Sequence, residues 1–242
     1  MSFVPFAERE RPPKRPAIDR DRVVAAALAL LGEVGLDGLT MRLLASRLGV
    51  KASSLYRHVE HKDELLILIA DAIAAMAADV PTDMPWRERV IAQLREYHAS
   101  LRRIRDAARV LAETPPAGRN RLKKIDALFG AVLASGCSPK AAADACYHLN
   151  NLVVSYAADQ ERAAAWTERA GISEADLAER KRAFTRMLSV DEFPNLAVMA
   201  EFAGSNDPDA VFWFGIDLLL DGLEAHVAAA RGEPAVESRA PR

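Results

Sequence analysis

The chain has 242 residues, half of them apolar and 27% charged, with a mean hydropathy of -0.04. These values are typical of a soluble globular protein with one large domain or two small ones. No stretch approaches the roughly 18–20 uninterrupted apolar residues that a membrane-spanning helix needs, and the net charge of -2 argues against a generally basic nucleic-acid coat.

The charge is unevenly distributed along the chain. Residues 1–63 carry 11 Lys and Arg against 8 Asp and Glu, whereas the remainder is acidic. Cys137 and Cys146 have neither CxxC nor metal-ligand spacing, which predicts free thiols in a reducing compartment. The N-terminus lacks the apolar core of a signal peptide. We therefore predict a cytoplasmic protein.

Residues 1–18 form a basic, proline-rich arm in which four prolines lie among arginines and a lysine. Prolines at this density prevent a regular helix. Two alternatives remain open for the arm: a disordered tail, or a segment that touches phosphates or the minor groove of DNA.

A first helix is predicted from Asp19 to Gly35, where apolar residues repeat at helical spacing. Asp19 or Asp21 places negative charge at its N-terminus, and Gly35 ends it. The helix would support the motif that follows.

A helix-turn-helix is predicted between Thr40 and Lys62. Thr40 would cap a short helix that begins at Met41, and Gly49 would end it in a left-handed turn. A second helix, from about Ala52 to Val59, would turn small, hydroxylic, aromatic and cationic groups outward, as suits a major groove and its phosphates. The alternative is a helical hairpin with a solvated face.

The rest of the chain is predicted to be helical, with a longer helix at 61–80 and breaks near residues 81–85, 114–118, 135–139, 170–173 and 189–208. The prediction is an all-α protein of about nine or ten helices, with a flexible tail at 232–242. The helix at 208–231 is apolar nearly all round, so it would be buried on more than one side. It would either contact a twin subunit or form a central core helix.

No catalytic or metal site is predicted. The histidines have no acidic or cysteine partners at metal-ligand spacing. Nucleophile-elbow, phosphate-loop and zinc-protease motifs do not occur. We therefore expect neither an enzyme nor a cofactor.

The run L-T-M-R-L-L-A-S-R-L-G-V-K-A-S-S-L-Y-R-H-V resembles the DNA-binding segment of the tetracycline-repressor (TetR) family. A looser similarity extends through A-D-Q-E near 158–161 and F-G-I-D-L-L-L-D-G-L-E near 214–224, so that the resemblance covers roughly 19–230. It implies a three-helix DNA-binding domain at 19–62 and a larger helical domain for ligand binding and dimerisation at 63–231.

The resemblance implies a set of DNA-binding residues by matching positions. Arg42 would read a base edge, Thr40 and Lys62 would touch phosphates, and Ala52 and Ser53 depart from the tetracycline repressor itself, which implies a different operator sequence. The full set is Thr40, Met41, Arg42, Lys51, Ala52, Ser53, Ser54, Tyr56, Arg57, His58 and Lys62.

The resemblance also implies a small-molecule pocket, lined by Leu111, Thr114, Ala127, Leu128, Asn150, Asn151 and Asp159. Where the tetracycline repressor holds a magnesium–drug chelate, this chain has Ala78, Leu111, Ala127 and Ala158. A hard cation needs oxygen ligands, which alanine and leucine side chains lack. We therefore predict a largely apolar ligand and no magnesium–tetracycline binding in the family's manner.

The family implies a homodimer in which two helices from each subunit form a four-helix bundle, here with Leu149, Val153, Tyr156, Trp213, Phe214 and Leu218 at the contact. Two heads related by a two-fold axis would read a palindromic operator. The predicted function is a repressor that a small ligand releases from this operator. The alternatives are an activator, or a helical ligand-binding or protein-interaction module whose head does not bind DNA.

Overall fold

The computed structural model describes residues 18–199, 202 and 207–232. These residues form eleven α-helices and no β-strand, which confirms the all-α prediction. Apart from residues 18 and 232, the predicted arm and tail lie outside the described residues. The helices in chain order are α1 Arg20–Gly38, α2 Met41–Leu48, α3 Ala52–Leu55, α4 Lys62–Ala75, α5 Trp86–Leu101, α6 Ala107–Glu113, α7 Arg119–Leu133, α8 Pro139–Ala170, α9 Glu174–Arg186, α10 Pro194–Met199 and α11 Pro208–Arg231.

Several helix ends follow the local sequence signals. The Asp19 carboxylate accepts a hydrogen bond from the Arg22 N–H at 2.8 Å and caps α1. The backbone leaves the helical conformation at Gly35, where φ is 70°, so Leu36–Gly38 form an irregular last turn. Ser138 caps α8 by accepting from the Ala141 N–H, and a proline follows at the first helical position.

Three elements differ from the sequence predictions. The second motif helix spans only Ala52–Leu55. After it the backbone forms a tighter turn, in which the His58 N–H donates to the carbonyl three residues back, Leu55 O. Helix α4 ends at Ala75 rather than near 80, since the Ala78 N–H donates to Glu96 of α5 instead of continuing the helix. Helix α10 forms within the predicted break at 189–208, which raises the helix count to eleven in the described residues.

Helices α1, α2 and α3 pack on one set of fully buried leucines, which includes Leu30, Leu44 and Leu55. Helix α4 then leads from this small bundle, which we call the head, into the larger remainder of the molecule, which we call the body. Its buried face, with Leu65, Ile69 and Ile73, contacts α1 on one side and α5, α6 and α7 on the other. The head is therefore joined to the body by a continuous apolar core.

The body core lies between α5, α7, α8 and α11. Phe212 of α11 is 1% exposed and stacks against the rings of both His98 and Tyr156, with centroid distances of 4.9 and 4.8 Å, and these two rings also lie 6.0 Å from each other. Ile216 and Leu220 continue the buried face of α11, whereas Phe214 and Leu218 are exposed on its opposite face. Within the described ranges, no helix is both long and apolar enough to cross a membrane.

Candidate nucleic-acid interface and ligand cavity

The turn of the helix-turn-helix has the predicted geometry. The Leu43 N–H donates to Thr40 Oγ1 at 3.2 Å, so the threonine hydroxyl caps α2. Gly49 has φ of 67° and ψ of 33°, the left-handed conformation that glycine adopts at low cost. Leu44 and Leu55 are fully buried beneath the turn and fix the two helices against α1.

The outer surface of the motif presents Arg42, Lys51, Ala52, Ser53 and Arg57 to solvent. Tyr56 is 49% exposed. By contrast, Arg47 donates to both carboxylate oxygens of Glu33 and is occupied within the head. We call the surface formed by these exposed side chains the reading surface.

Other predicted DNA contacts have partners or neighbours inside the protein. Met41 is half-buried and packs against the core. Ser54 and His58 are also half-buried. Lys62 Nζ donates to the Leu36 carbonyl at 3.3 Å, which ties the start of α4 to the end of α1. All eleven predicted DNA contacts stay predictions, and Lys62 also has this structural role.

The body contains two adjoining cavities. Cavity A, of about 300 Å³, lies among α4, α5, α6 and α7 and is largely lined by alanines and leucines such as Ala78, Ala127 and Leu128. Cavity B, of about 620 Å³, lies among α6, α7 and α8 and includes Asn150 and Asn151. Leu111, Arg121 and Leu128 belong to both walls, so the two cavities share a boundary.

Several polar groups in these walls are engaged in hydrogen bonds within the protein. The Tyr97 hydroxyl of cavity A donates to Asn150 Oδ1 of cavity B at 3.2 Å. Burial raises the pKa of Tyr97 to about 12, so its phenol stays protonated at neutral pH. Gln93 donates to the Ala127 carbonyl, while its buried Oε1 has no hydrogen-bond partner within the described residues.

Arg121 is the most deeply buried charged side chain of the cavity walls, at 8% exposure. Its Nη1 donates to Thr114 O, Thr114 Oγ1 and Pro115 O, and its Nη2 donates to Leu111 O at 3.0 Å. The guanidinium thus caps the C-terminal end of α6. Burial is the main cause that lowers the pKa of Arg121, yet an arginine remains charged in proteins.

Six of the seven predicted ligand residues line the cavities: Leu111, Thr114, Ala127, Leu128, Asn150 and Asn151. The prediction that the seventh residue, Asp159, lines the ligand pocket of its own subunit is wrong. Asp159 is exposed on α8, pairs with Arg162 and lies in neither wall. No group of metal-binding side chains that could hold an ion occurs among the described residues.

The cavity region is joined to the head through two helices. The Asp71 carboxylate of α4 accepts from the main-chain N–H of Arg121 at 2.8 Å and from Asn120 Nδ2 at 3.0 Å, and so caps α7. At the start of α6, the Leu36 N–H donates to Asp106 Oδ2 at 2.7 Å, and the Asp106 N–H donates to Glu161 Oε1 at 2.7 Å. Helix α6 therefore touches the cavity at one end and the head at the other.

The predicted dimer residues divide into three groups. Leu149 and Val153 are 1% and 0% exposed, so the prediction that they contact a twin subunit is wrong. Their apolar stripe on α8 faces the subunit's own core. Tyr156 and Trp213 are half-buried, with Trp213 beneath the Arg95 guanidinium at 4.9 Å. Phe214 and Leu218 are 64% and 56% exposed and are available for contact.

Sequence reasoning missed Arg121, Tyr97, Gln93 and Asp71. Tyr97 follows Leu94 by three residues, and this helical spacing could have placed it on the apolar face of α5. Arg121, however, follows Arg119 in a basic run with no local feature that marks it as buried. What distinguishes the two arginines is that the Arg121 guanidinium meets the carbonyls at the end of α6.

Comparisons with known proteins agree over most of the chain. Residues 23–69 match the family described as bacterial regulatory proteins, tetR family, and residues 80–227 match the tetracyclin repressor-like C-terminal domain. The chain is 31% identical over 225 residues to the HTH-type transcriptional repressor DrrR1 of Streptomyces coeruleorubidus, covering 91% of this chain and 83% of the relative.

It is also 34% identical over 207 residues to the class A tetracycline repressor protein of Escherichia coli, from transposon 1721, covering 83% of this chain and 88% of the relative. Among solved structures, ActR of Streptomyces coelicolor in complex with actinorhodin superimposes with a TM-score of 0.78 at 29% identity. That match covers 88% of this chain and 98% of ActR.

Proposed function

The chain belongs to the tetracycline-repressor (TetR) family of bacterial regulatory proteins, and from this we infer that it is a repressor that a small ligand releases from a palindromic DNA operator. The observation that carries the inference is the reading surface. Arg42, Lys51 and Arg57 project from the helix-turn-helix, and none of the ion pairs among the described residues occupies them.

We propose that residues 19–62 form the DNA-binding domain and residues 63–231 the ligand-binding and dimerisation domain. The leucine core shared by α1, α2 and α3 and the start of α4 at Lys62 support a boundary where this helix begins. All eleven predicted DNA-binding residues lie in the first domain. Arg42, Lys51, Tyr56 and Arg57 are the strongest candidates because their side chains are exposed and are cationic or aromatic.

The proposed homodimer forms through the exposed faces of α8 and α11. Phe214 and Leu218 are large apolar side chains on the solvent face of α11, and burying them against a second copy removes apolar area from water. Two heads related by a two-fold axis then face two half-sites of a palindrome.

The proposed ligand is largely apolar and enters the two cavities. ActR, the structural relative, was crystallised with actinorhodin, and the class A relative is a tetracycline repressor. Magnesium–tetracycline does not fit the family's manner of binding here, because Ala78, Leu111 and Ala127 bring no oxygen ligands from their side chains to the cavity. We further propose that the protein is cytoplasmic and has no catalytic activity.

The experiment that tests this function measures binding to the DNA upstream of the protein's own gene by fluorescence anisotropy at several salt concentrations. Tight binding that weakens steeply with salt is expected, with a slope of about -0.9 per phosphate contact on a log–log plot. DNA of random sequence is the matched control and should bind much more weakly. No binding of the upstream DNA at any of these salt concentrations would instead support the protein-interaction module.

A further inference from the structure

The charge of Arg121 is not neutralised by an acidic partner. Its four hydrogen bonds end on neutral acceptors, three main-chain carbonyls and the Thr114 hydroxyl, at 2.9 to 3.2 Å. Among the ion pairs of the described residues, none involves this guanidinium. The carbonyls at the end of α6 supply partial negative charge, but not a full counter-charge.

The Asp71 carboxylate attracts the Arg121 guanidinium without pairing with it. Asp71 accepts from the main-chain N–H of Arg121 rather than from its side chain, and it is also engaged with Asn120. Removing a cation from water without a paired anion is unfavourable, and an anion that arrives in the cavity offsets this cost. The wall around Arg121 therefore favours a negative group on whatever fills the cavity.

Arg121 lies where a ligand in the cavities would contact it. The residue lies on the boundary between cavities A and B, together with Leu111 and Leu128, so a ligand that occupies both passes beside it. Lys124, the other cation of the described cavity A wall, is paired with Asp79 at 2.6 Å. Asp79 is almost wholly exposed, which places that pair at the mouth of the cavity rather than at its centre.

We propose that the ligand carries one oxyanion, a carboxylate or an ionised phenol, on an apolar body, and that Arg121 pairs with it. This inference rests on the proposed function, in which the cavities are the ligand site. Guanidinium and carboxylate match in geometry, and their hydrogen bonds are stronger than those between neutral groups. The unpartnered Gln93 Oε1 would accept a hydrogen bond from a hydroxyl or amine elsewhere on the same ligand.

The test uses a neutral fluorophore and a matched pair of competitors. N-phenyl-1-naphthylamine, which brightens in apolar sites, reports occupancy of the cavity. It is displaced with 2-naphthoate or with 2-naphthamide, which have the same ring system and differ in charge. We expect the wild-type protein to bind naphthoate at least about tenfold more tightly than naphthamide. Equal affinities would overturn the proposal without any variant.

Four variants locate the preference. Arg121→Gln should reduce it to about twofold or less, whereas Arg121→Lys should keep part of it because the charge remains. Arg119→Gln, an exposed arginine on the same helix, is the matched control and should leave the preference unchanged. If Arg121→Gln retains the wild-type preference, or if Lys124→Gln abolishes it instead, Arg121 is not the anion receptor.

Failure of this inference is distinguishable from failure of the proposed function, because the competition assay contains no DNA. Binding of upstream DNA together with no naphthoate preference contradicts the anion site alone. A preserved preference together with no DNA binding contradicts the regulator alone. No displacement of bound fluorophore by either competitor, or no fluorophore binding, overturns the anion site and the cavity as the ligand site.

Discussion

Arg42 in the head and Arg121 in the body are both arginines without a carboxylate partner in the described ion pairs, but their surroundings are opposite. Arg42 is exposed on α2, where water stabilises its charge until another molecule replaces the water. Arg121 is 8% exposed and has exchanged water for the carbonyls at the end of α6. Residues of the reading surface are therefore expected to serve DNA recognition without stabilising the fold. Residues of the cavity wall are expected to serve both ligand binding and stability.

This difference predicts how the two regions respond to substitution. Outward side chains of the head touch little within the protein, so replacing them should change binding and leave stability intact. Wall residues such as Arg121 and Thr114 hold helix ends together, so replacing them should change both. The following experiments test that contrast, from the largest expected effect to the smallest.

The largest effect is expected from Leu55→Ala, beneath the reading surface. Leu55 is fully buried, and truncating a buried leucine typically costs about 2–5 kcal/mol of unfolding free energy. Urea unfolding measures the loss. Leu43→Ala is the matched control, since Leu43 is 37% exposed on α2 and should lose much less. Similar losses for both variants would show that the head core is not where the structure places it.

Tyr56→Ala should weaken binding to upstream DNA about tenfold while changing stability by less than about 0.5 kcal/mol. Tyr56 is half-exposed on the reading surface, so its hydroxyl is available to a phosphate. Anisotropy and urea unfolding give the two quantities. Tyr147→Ala, which removes a 65% exposed tyrosine from α8, serves as the control. If Tyr56→Ala lowers the unfolding free energy substantially, Tyr56 stabilises the head, and the expectation that it serves DNA recognition alone is wrong.

Asp106→Asn should cost about 1 kcal/mol of unfolding free energy, because the hydrogen bond from the Leu36 N–H would end on a neutral acceptor. Asparagine tolerates the left-handed backbone of this position, so the local conformation is kept. Urea unfolding measures the change. The control is Asp126→Asn, which changes an exposed carboxylate on α7. If both variants unfold like the wild type, the contact between α6 and the head contributes nothing to stability.

The smallest effect concerns pH. His98 is buried, and burial lowers its pKa although Gln160 lies 3.2 Å from its Nε2. The unfolded histidine titrates at about pH 6.5 and binds a proton more readily than the folded one. The contribution of His98 is therefore fully present above that pH and is lost as the pH falls towards the folded pKa.

Unfolding free energies at pH 7.5 and 5.5 should accordingly differ in the wild type, with the lower value at pH 5.5. The difference should shrink in His98→Gln and persist in His148→Gln, whose histidine is exposed on α8. An unchanged pH dependence in His98→Gln would assign the titration to another group.

Local signals predicted much of the fold. Thr40 and Gly49 delimit α2, and Asp207 and Gly232 delimit α11, because caps and left-handed turns are properties of a few adjacent residues. The reading surface was predictable for the same reason, since its residues lie on one short contiguous segment.

The cavity was predictable only in part. Matching positions placed six wall residues correctly, but the exclusion of Asp159 depends on which side of α8 faces α5 and α7. Leu149 and Val153 fit an apolar stripe that serves a core and a dimer contact equally well in sequence. The inward turn of Arg121 depends on the position of the α6 carbonyls, which no local pattern encodes.

Asp106 is the only residue other than glycine with a positive φ among those the structure describes, at 57°. Its carboxylate must accept from Leu36 while its backbone keeps this rare conformation. Few side chains satisfy both conditions, because most residues disfavour the left-handed region and glycine has no acceptor. A library randomised at this codon should therefore be enriched in aspartate and asparagine among its most stable clones, whereas one randomised at exposed Arg57 should show no such enrichment.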